Sequence, residues 1–261
     1  MNTLAVKLLL TPALIGAASL AGRRWGPGVS GWLVALPFTS GPIVFFLALD
    51  HGTAFAGAAA VGALAGAIAQ AVFCLGYGVL AGRSRWGVAL LAASLAFAAA
   101  TMVLQRLALP LVWLFLGVIA ALAVAFRLMP KGSAASGAAP PPRWDIPARM
   151  VVTTALVLLL TGLAPALGPR LSGLLATFPV YAAILAVFAH HLVGPAPATQ
   201  VLRGLLLGLF AFAGFFAVLG VLIERVGVTA SFLAAIAVAL GLQAVSLRVV
   251  QREEQTRLPP T

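Results

Sequence analysis

Residues 53–81 read TAFAGAAAVGALAGAIAQAVFCLGYGVLA, a run of 29 residues that contains no charged side chain. A bilayer core about 30 Å thick is crossed by roughly 20 apolar residues of helix, so this run predicts a membrane-spanning helix. A membrane β-barrel would instead require segments of about ten residues with alternating hydrophobicity. Similar Ala/Leu/Val/Gly runs recur along the whole chain and predict an all-α, polytopic transmembrane helical bundle.

The composition excludes the soluble classes of protein. Apolar residues make up 62% of the 261 residues and charged residues only 8%, against about 45–50% and about 25% in an ordinary soluble domain. A water-soluble enzyme would need far more polar surface, and a disordered chain would be far less apolar. The net charge of +11 comes from basic residues spread between apolar runs, which favours loops that face anionic lipid over a nucleic-acid-binding surface.

Charges, prolines and glycines divide the chain into about nine predicted spans. They are 3–22, 28–49, 53–81, 86–104, 108–128, 149–167, 171–193, 199–222 and 229–249. A Pro/Gly/Ser-rich stretch predicts a flexible cytoplasmic linker at 129–147. This linker separates a first membrane unit, 1–128, from a second, 148–251, and residues 252–261 form a cytoplasmic tail.

The distribution of Lys and Arg predicts the orientation. With the N-terminus outside, twelve basic residues fall on the cytoplasmic side and four on the outer side. The positive-inside rule expects this asymmetry. The sequence therefore predicts an N-out, C-in protein whose first helix is retained rather than cleaved as a signal peptide.

An internal repeat links the two membrane units. The sequence GPGVSG at 26–31 aligns without a gap with GPRLSG at 168–173, and the same shift of 142 residues pairs Pro37 with Pro179. An odd number of crossings separates each span from its counterpart, so the two four-helix repeats have opposite orientations, with the fifth span as the inverter. Inverted repeats are a recurring device of secondary transporters. The alternative is a fused dual-topology dimer that transports nothing.

Two spans are predicted to break at matching depths. Proline removes a backbone donor and clashes with the preceding turn, and glycine adds freedom, so spans 28–49 and 171–193 are interrupted near the membrane midplane. Paired broken helices are the best sequence pointer to a midplane binding site; the alternative is that the kinks only shape packing. The candidate substrate-binding residues are Pro37, Thr39, Ser40, Gly41, Pro42, Thr177, Pro179 and Tyr181.

Few other residues suggest a role. Asp50 and His51, with His190 and His191, form a candidate proton relay; the alternative is that they are hydrated residues at helix ends. The glycines expected to allow close helix packing are Gly62, Gly66, Gly204 and Gly208.

No catalytic motif, phosphate-binding loop or metal-ligand cluster is present in the sequence. We therefore predict neither enzymatic activity nor a cofactor or metal. A membrane enzyme that depends on Asp50 or His190 is the least favoured hypothesis.

The segment SGLLATFPVYA at 172–182, followed by Ala189-His190-His191, resembles the GlpM-type four-helix inner-membrane proteins of bacteria. Their corresponding segment has a Gly-Leu-x-x-x-Phe-Pro-x-Phe-Ala pattern and then Ala-His. The resemblance implies two such units fused in opposite orientations and a location in the bacterial inner membrane.

The leading functional hypothesis is a secondary transporter or lipid-type flippase that works by alternating access around the two breaks. The scarcity of ionisable groups favours a small neutral or amphipathic substrate. Membrane lipids are the expected partners, nucleic acid is not, and a homo-oligomer stays open. The alternative is a non-catalytic scaffold subunit of an envelope-biosynthesis complex.

Overall fold

The computed structural model describes residues 9, 12–13, 32, 34–37, 40–107, 109–130 and 144–255. Within these residues the regular structure is entirely α-helical, as predicted. The helices are α1 (Ser40–His51), α2 (Thr53–Ala81), α3 (Trp86–Leu104), α4 (Leu111–Leu128), α5 (Asp145–Leu167), α6 (Pro169–Leu175), α7 (Val180–Leu192) and α8 (Pro195–Gln255).

Four stretches of these helices are long and apolar enough to cross a membrane: α2, α3, α4 and residues Pro195–Ser246 of α8. Burial separates them into two classes, since 72% of the most apolar part of α2 is buried but only 22% of that of α4. The two central helices, α2 and α8, form the core of the bundle. The outer faces of α3 and α4 expose large apolar side chains such as Leu95 and Trp113, which is consistent with membrane embedding.

Helix α2 packs antiparallel against the first part of α8. Gly57, near the start of α2, lies beside Glu224, and Val61 lies beside Gly220. The numbers rise along one helix as they fall along the other, so the two helices run in opposite directions. Small residues on α2 allow this close approach, because a backbone without bulky side chains lets a neighbouring helix come near.

Helix α8 changes direction at Gly227, which has φ 79° and ψ 177°. The two parts of α8 then pack on each other as a hairpin, with Gly214 in contact with Leu242. Sequence predicted a connection over 223–228, but the helical conformation runs up to Gly227 and resumes at once. Only glycine adopts this positive φ at little cost, and a single residue is therefore enough to reverse the helix.

Several predicted boundaries agree with the structure. Spans 53–81 and 86–104 coincide with α2 and α3, while α5 begins at Asp145, inside the predicted linker. Helix α8 begins at Pro195 rather than at the predicted 199, because proline is well accommodated at the first position of a helix. Most of the predicted span 3–22, residues 131–143 of the linker and residues 256–261 lie outside the described residues.

Candidate functional site

Both predicted helix breaks are present in the described structure. Residues 35–37 are non-helical and precede α1, and residues 176–179 separate α6 from α7. At the second break, Pro179 has φ −80° and ψ 60°, and the amide of Val180 donates to the carbonyl of Phe178 at 2.8 Å. This geometry is an inverse γ-turn, so the second span is interrupted by a turn rather than by a gentle kink.

The two breaks lie against each other. The hydroxyl of Ser40, the first residue of α1, donates a hydrogen bond of 2.9 Å to the carbonyl oxygen of Ala176 in the other break. Ser40 is 4% exposed, so this contact is shielded from solvent. A hydroxyl placed at one break therefore satisfies a backbone acceptor that the other break releases from helical hydrogen bonding.

Three of the four predicted packing glycines are in close contact with a backbone or side-chain atom of the two breaks or of the turns beside them. A Cβ added to Gly66 would overlap the side chain of Thr177, and one added to Gly62 would overlap the carbonyl oxygen of Arg170. On α8, a Cβ at Gly208 would overlap Ala35. Gly204 is buried on α8. These glycines thus hold the two broken spans against the two central helices.

A cavity of about 30 Å³ lies between the breaks. Its polar lining comes from Ser40, Gln70 and Thr177, and the rest of its wall is apolar. The Thr177 hydroxyl donates to the carbonyl of Leu174 at 2.6 Å, which leaves its lone pairs available as acceptors. The volume is sufficient for about one or two water molecules or for a hydroxyl group.

The remaining predicted binding residues lie around this cavity or outside the described structure. Pro37, Gly41 and Pro42 line an adjacent groove on the other side of α1. Thr39 lies outside the described residues, as does the side chain of Tyr181, which belongs to the first turn of α7.

The structure does not bring the two pairs of the predicted relay together. His51 packs against Phe55 near the start of α2, with ring centroids 4.8 Å apart. His190 lies instead near the end of α2, where its Nδ1 is 3.2 Å from the hydroxyl of Tyr77. Phe55 and Tyr77 are roughly 33 Å apart along the helix axis at a rise of 1.5 Å per residue. Direct proton transfer between the two pairs is therefore excluded in this conformation.

Tyr77 and Arg203 are structural residues that the sequence did not assign to a contact. The guanidinium of Arg203 donates to the carbonyls of Phe126 and Met129, at 3.2 and 3.0 Å, and lies 4.3 Å from the centroid of the Phe126 ring. It thereby caps the C-terminus of α4, where a cation is favourable. The sequence signal was a lone arginine within an apolar span, which gives no indication of its partner.

No protein family, curated protein or solved structure matches this chain. Within the described ranges, no three His, Cys, Asp or Glu side chains lie close enough together to hold a metal ion.

Proposed function

We propose that this protein is an integral membrane secondary transporter or lipid-type flippase that works by alternating access around its two helix breaks. The observation that carries the proposal is a pair of contacts. Gly66 packs on Thr177, and Gly208 packs on Ala35. A shift of 142 residues converts Gly66 into Gly208 and Ala35 into Thr177, so each contact is the image of the other. Two copies of one unit related by a two-fold axis through the breaks would produce this exchange.

The helix boundaries support the same repeat. The shift moves 53–81 onto 195–223, and α8 begins at Pro195. It moves 86–104 onto 228–246, which begins directly after the reversal at Gly227. Gly52, with φ 87°, precedes α2 and corresponds to Gly194, with φ 125°, which precedes α8. The agreement extends to backbone features that the apolar composition does not dictate.

The antiparallel packing of α2 on α8 supports inversion. These two segments correspond to each other under the shift, and yet they run in opposite directions. In inverted-repeat transporters, the two halves exchange conformations, and the exchange turns an inward-open site into an outward-open one. The small polar cavity lies where such an axis would pass, since it is lined by corresponding residues of both halves, for example Gln70 and Phe212.

The lining of the cavity favours a neutral or amphipathic substrate. Its described wall residues include hydroxyl and amide groups but no charged side chain. A charged substrate at this depth would require a compensating charge, because an isolated ion in a low-dielectric site is strongly unfavourable. Arg203 lies on α8, which lines the cavity through Leu205 and Phe212, but its guanidinium is bonded to carbonyl oxygens at the end of α4.

The proposed transporter has the topology and location predicted from the sequence. It has about nine spans, an N-terminus outside and a cytoplasmic C-terminus, and it lies in the bacterial inner membrane. Two GlpM-like units fused in opposite orientations would account for the repeat. The protein itself would perform no covalent chemistry.

Reconstitution tests the proposal. Purified protein is placed in liposomes that contain fluorescent single-chain or two-chain lipids, and a membrane-impermeant reductant measures how much probe reaches the outer leaflet. We expect the native protein to expose inner-leaflet probe and a Pro37→Ala/Pro42→Ala variant to do so more slowly, because restored helical hydrogen bonds stiffen the break.

A matched control is Pro165→Ala, which removes an exposed proline from the interior of α5 and should leave the rate unchanged. Full activity in a correctly folded Pro37→Ala/Pro42→Ala variant would contradict a role for the break. Absence of movement of every probe by the native protein would favour the scaffold alternative.

A further inference from the structure

An apolar groove of about 340 Å³ runs along the first turn of α1 on the side opposite the small cavity. Pro37 and Pro42 form one wall, and Phe232, Ile236 and Leu240 of α8 form the other, with Phe215 between them. The volume is within the range of small-molecule pockets. The wall is made of apolar side chains, so the ligand that fits it is hydrocarbon.

The space that corresponds to the groove under the internal repeat is filled by aromatic side chains. The Phe178 ring lies 6.0 Å from that of Phe73 and 5.2 Å from that of Phe97, both edge-on. Under the shift of 142 residues, Phe178 corresponds to Leu36 and Phe97 to Ala239, and these two smaller residues line the groove. The groove thus keeps the walls of the corresponding aromatic pocket but lacks the two rings, Phe178 and Phe97, that fill that pocket.

The position of the groove identifies its occupant. Ile236 and Leu240 at its mouth are 46% and 56% exposed, so the groove opens onto the outer surface of the bundle. Residues 232–240 lie in the middle of the helical segment 228–246, at the depth of the bilayer centre for a chain that spans the membrane. At this depth a bilayer offers methylene chains and no head groups.

The space left in the groove has the width of a side chain, because Leu36 and Ala239 stand where the corresponding pocket has the rings of Phe178 and Phe97. A single alkyl chain has that width and adapts to the curved wall. We propose that the groove binds one alkyl chain of a membrane lipid beside the break of α1.

Leu36 lines both the groove and the polar cavity, so the two spaces are neighbours on either side of one side chain. A chain in the groove would therefore hold an attached hydroxyl or amide group near Ser40 and Gln70. This step rests on the proposed transport function and names its substrate class: an amphipathic molecule with an alkyl chain and a small neutral polar group. Binding of the chain itself is measured separately from transport.

The test uses the full-length protein in phosphatidylcholine liposomes that contain a lipid with a photoreactive diazirine in the middle of its acyl chain. After illumination, adducts are mapped by peptide mass spectrometry. We expect adducts on groove residues such as Phe45, Phe215 and Ile236, in excess over those on Leu95, an exposed residue of α3.

Two opposite variants make the result specific. Leu36→Phe/Ala239→Phe restores the missing rings and should abolish the excess in the groove, while adducts on Leu95 persist. Phe178→Leu/Phe97→Ala opens the corresponding pocket and should create new adducts around Phe73. If the filled variant fails to fold, the opened variant still tests the proposal.

Equal labelling of the groove and of Leu95, or groove labelling that the filling variant leaves intact, would overturn the inference, as would crosslinks between two copies of the chain. If Leu36→Phe/Ala239→Phe loses the groove adducts but still moves lipid at the native rate, the groove binds an alkyl chain that is not part of the transported substrate. That result would overturn only the proposed substrate class. Specific adducts without any lipid movement would uphold the binding site and contradict the proposed transport.

Discussion

The hydroxyl of Ser40 donates a hydrogen bond of 2.9 Å to the carbonyl oxygen of Ala176, a residue 136 positions later in the chain. This bond joins the two helix breaks directly and links the halves of the protein at a buried point. Its loss leaves the Ala176 carbonyl without this donor in a site that is shielded from solvent.

Ser40→Ala should therefore lower the free energy of unfolding by about 1–3 kcal/mol, the usual cost of a buried polar group left unpaired. Thermal unfolding in detergent micelles measures the change. Ser172→Ala is the matched control: the Ser172 hydroxyl bonds to Gly168, whose carbonyl also accepts the Ser172 amide. The control should change stability by less than about 1 kcal/mol. Equal effects of the two variants would contradict the linking role of Ser40.

Gly62→Ala should destabilise the protein by about 1–3 kcal/mol, because its Cβ would overlap the backbone of Arg170 and push apart two elements. The control on the same helix is Gly76→Ala, where the added Cβ would meet its nearest neighbour in Ala93 at 3.8 Å, an ordinary contact. That substitution should be neutral or stabilise by about 0.5–1 kcal/mol, as expected for Gly to Ala inside a helix. A lower melting temperature for Gly62→Ala than for Gly76→Ala would confirm the prediction, and the reverse order would contradict it.

The contact between Tyr77 and His190 joins the end of α2 to the end of α7. Alternating access requires such a terminal contact to open while the opposite end closes. Tyr77→Cys/His190→Cys, joined by a reducible bifunctional thiol reagent, should stop lipid movement in liposomes, and reduction should restore it. Tyr77→Cys alone, treated identically, is the control. Undiminished movement in the crosslinked protein would show that this end stays closed during the cycle.

Membrane topology is testable with single cysteines, because the native Cys74 is buried and should not react with a maleimide. Arg106→Cys and Arg225→Cys, at exposed positions, should react with a membrane-impermeant maleimide added to intact cells. Arg83→Cys and Arg127→Cys should react only after the cells are permeabilised. The unsubstituted protein sets the background. Labelling of all four positions from one side would rule out the predicted orientation.

The sequence predicted the long helices well because a single physical signal determines them. The apolar run 53–81 ends at Gly82 and at the charged residue Arg83, and α2 has the same limits. The break at Pro179 was also predictable, since proline removes a helical hydrogen bond in any context. The reversal at Gly227 was placed only within a broad loop, because several turn geometries fit the same residues.

The contacts of the candidate site were not predictable in the same way. The Ser40 hydroxyl donates to a backbone carbonyl oxygen, and every residue of the chain carries that group. The sequence therefore does not single out Ala176 as the acceptor. The partner of His190 is Tyr77, which lies 113 positions away within the apolar run 53–81. Both contacts depend on how helices far apart in the chain pack together, and hydropathy carries no information about that arrangement.

All four described glycines with positive φ lie at junctions between helices: Gly52, Gly168, Gly194 and Gly227. Three of these junctions consist of that glycine alone, between α1 and α2, between α5 and α6, and within α8. A junction of one residue is too short to let the two helices that it joins slide past each other by one helical turn. Among the described helices, each pair joined in this way is therefore expected to move as one rigid hairpin that pivots on its glycine.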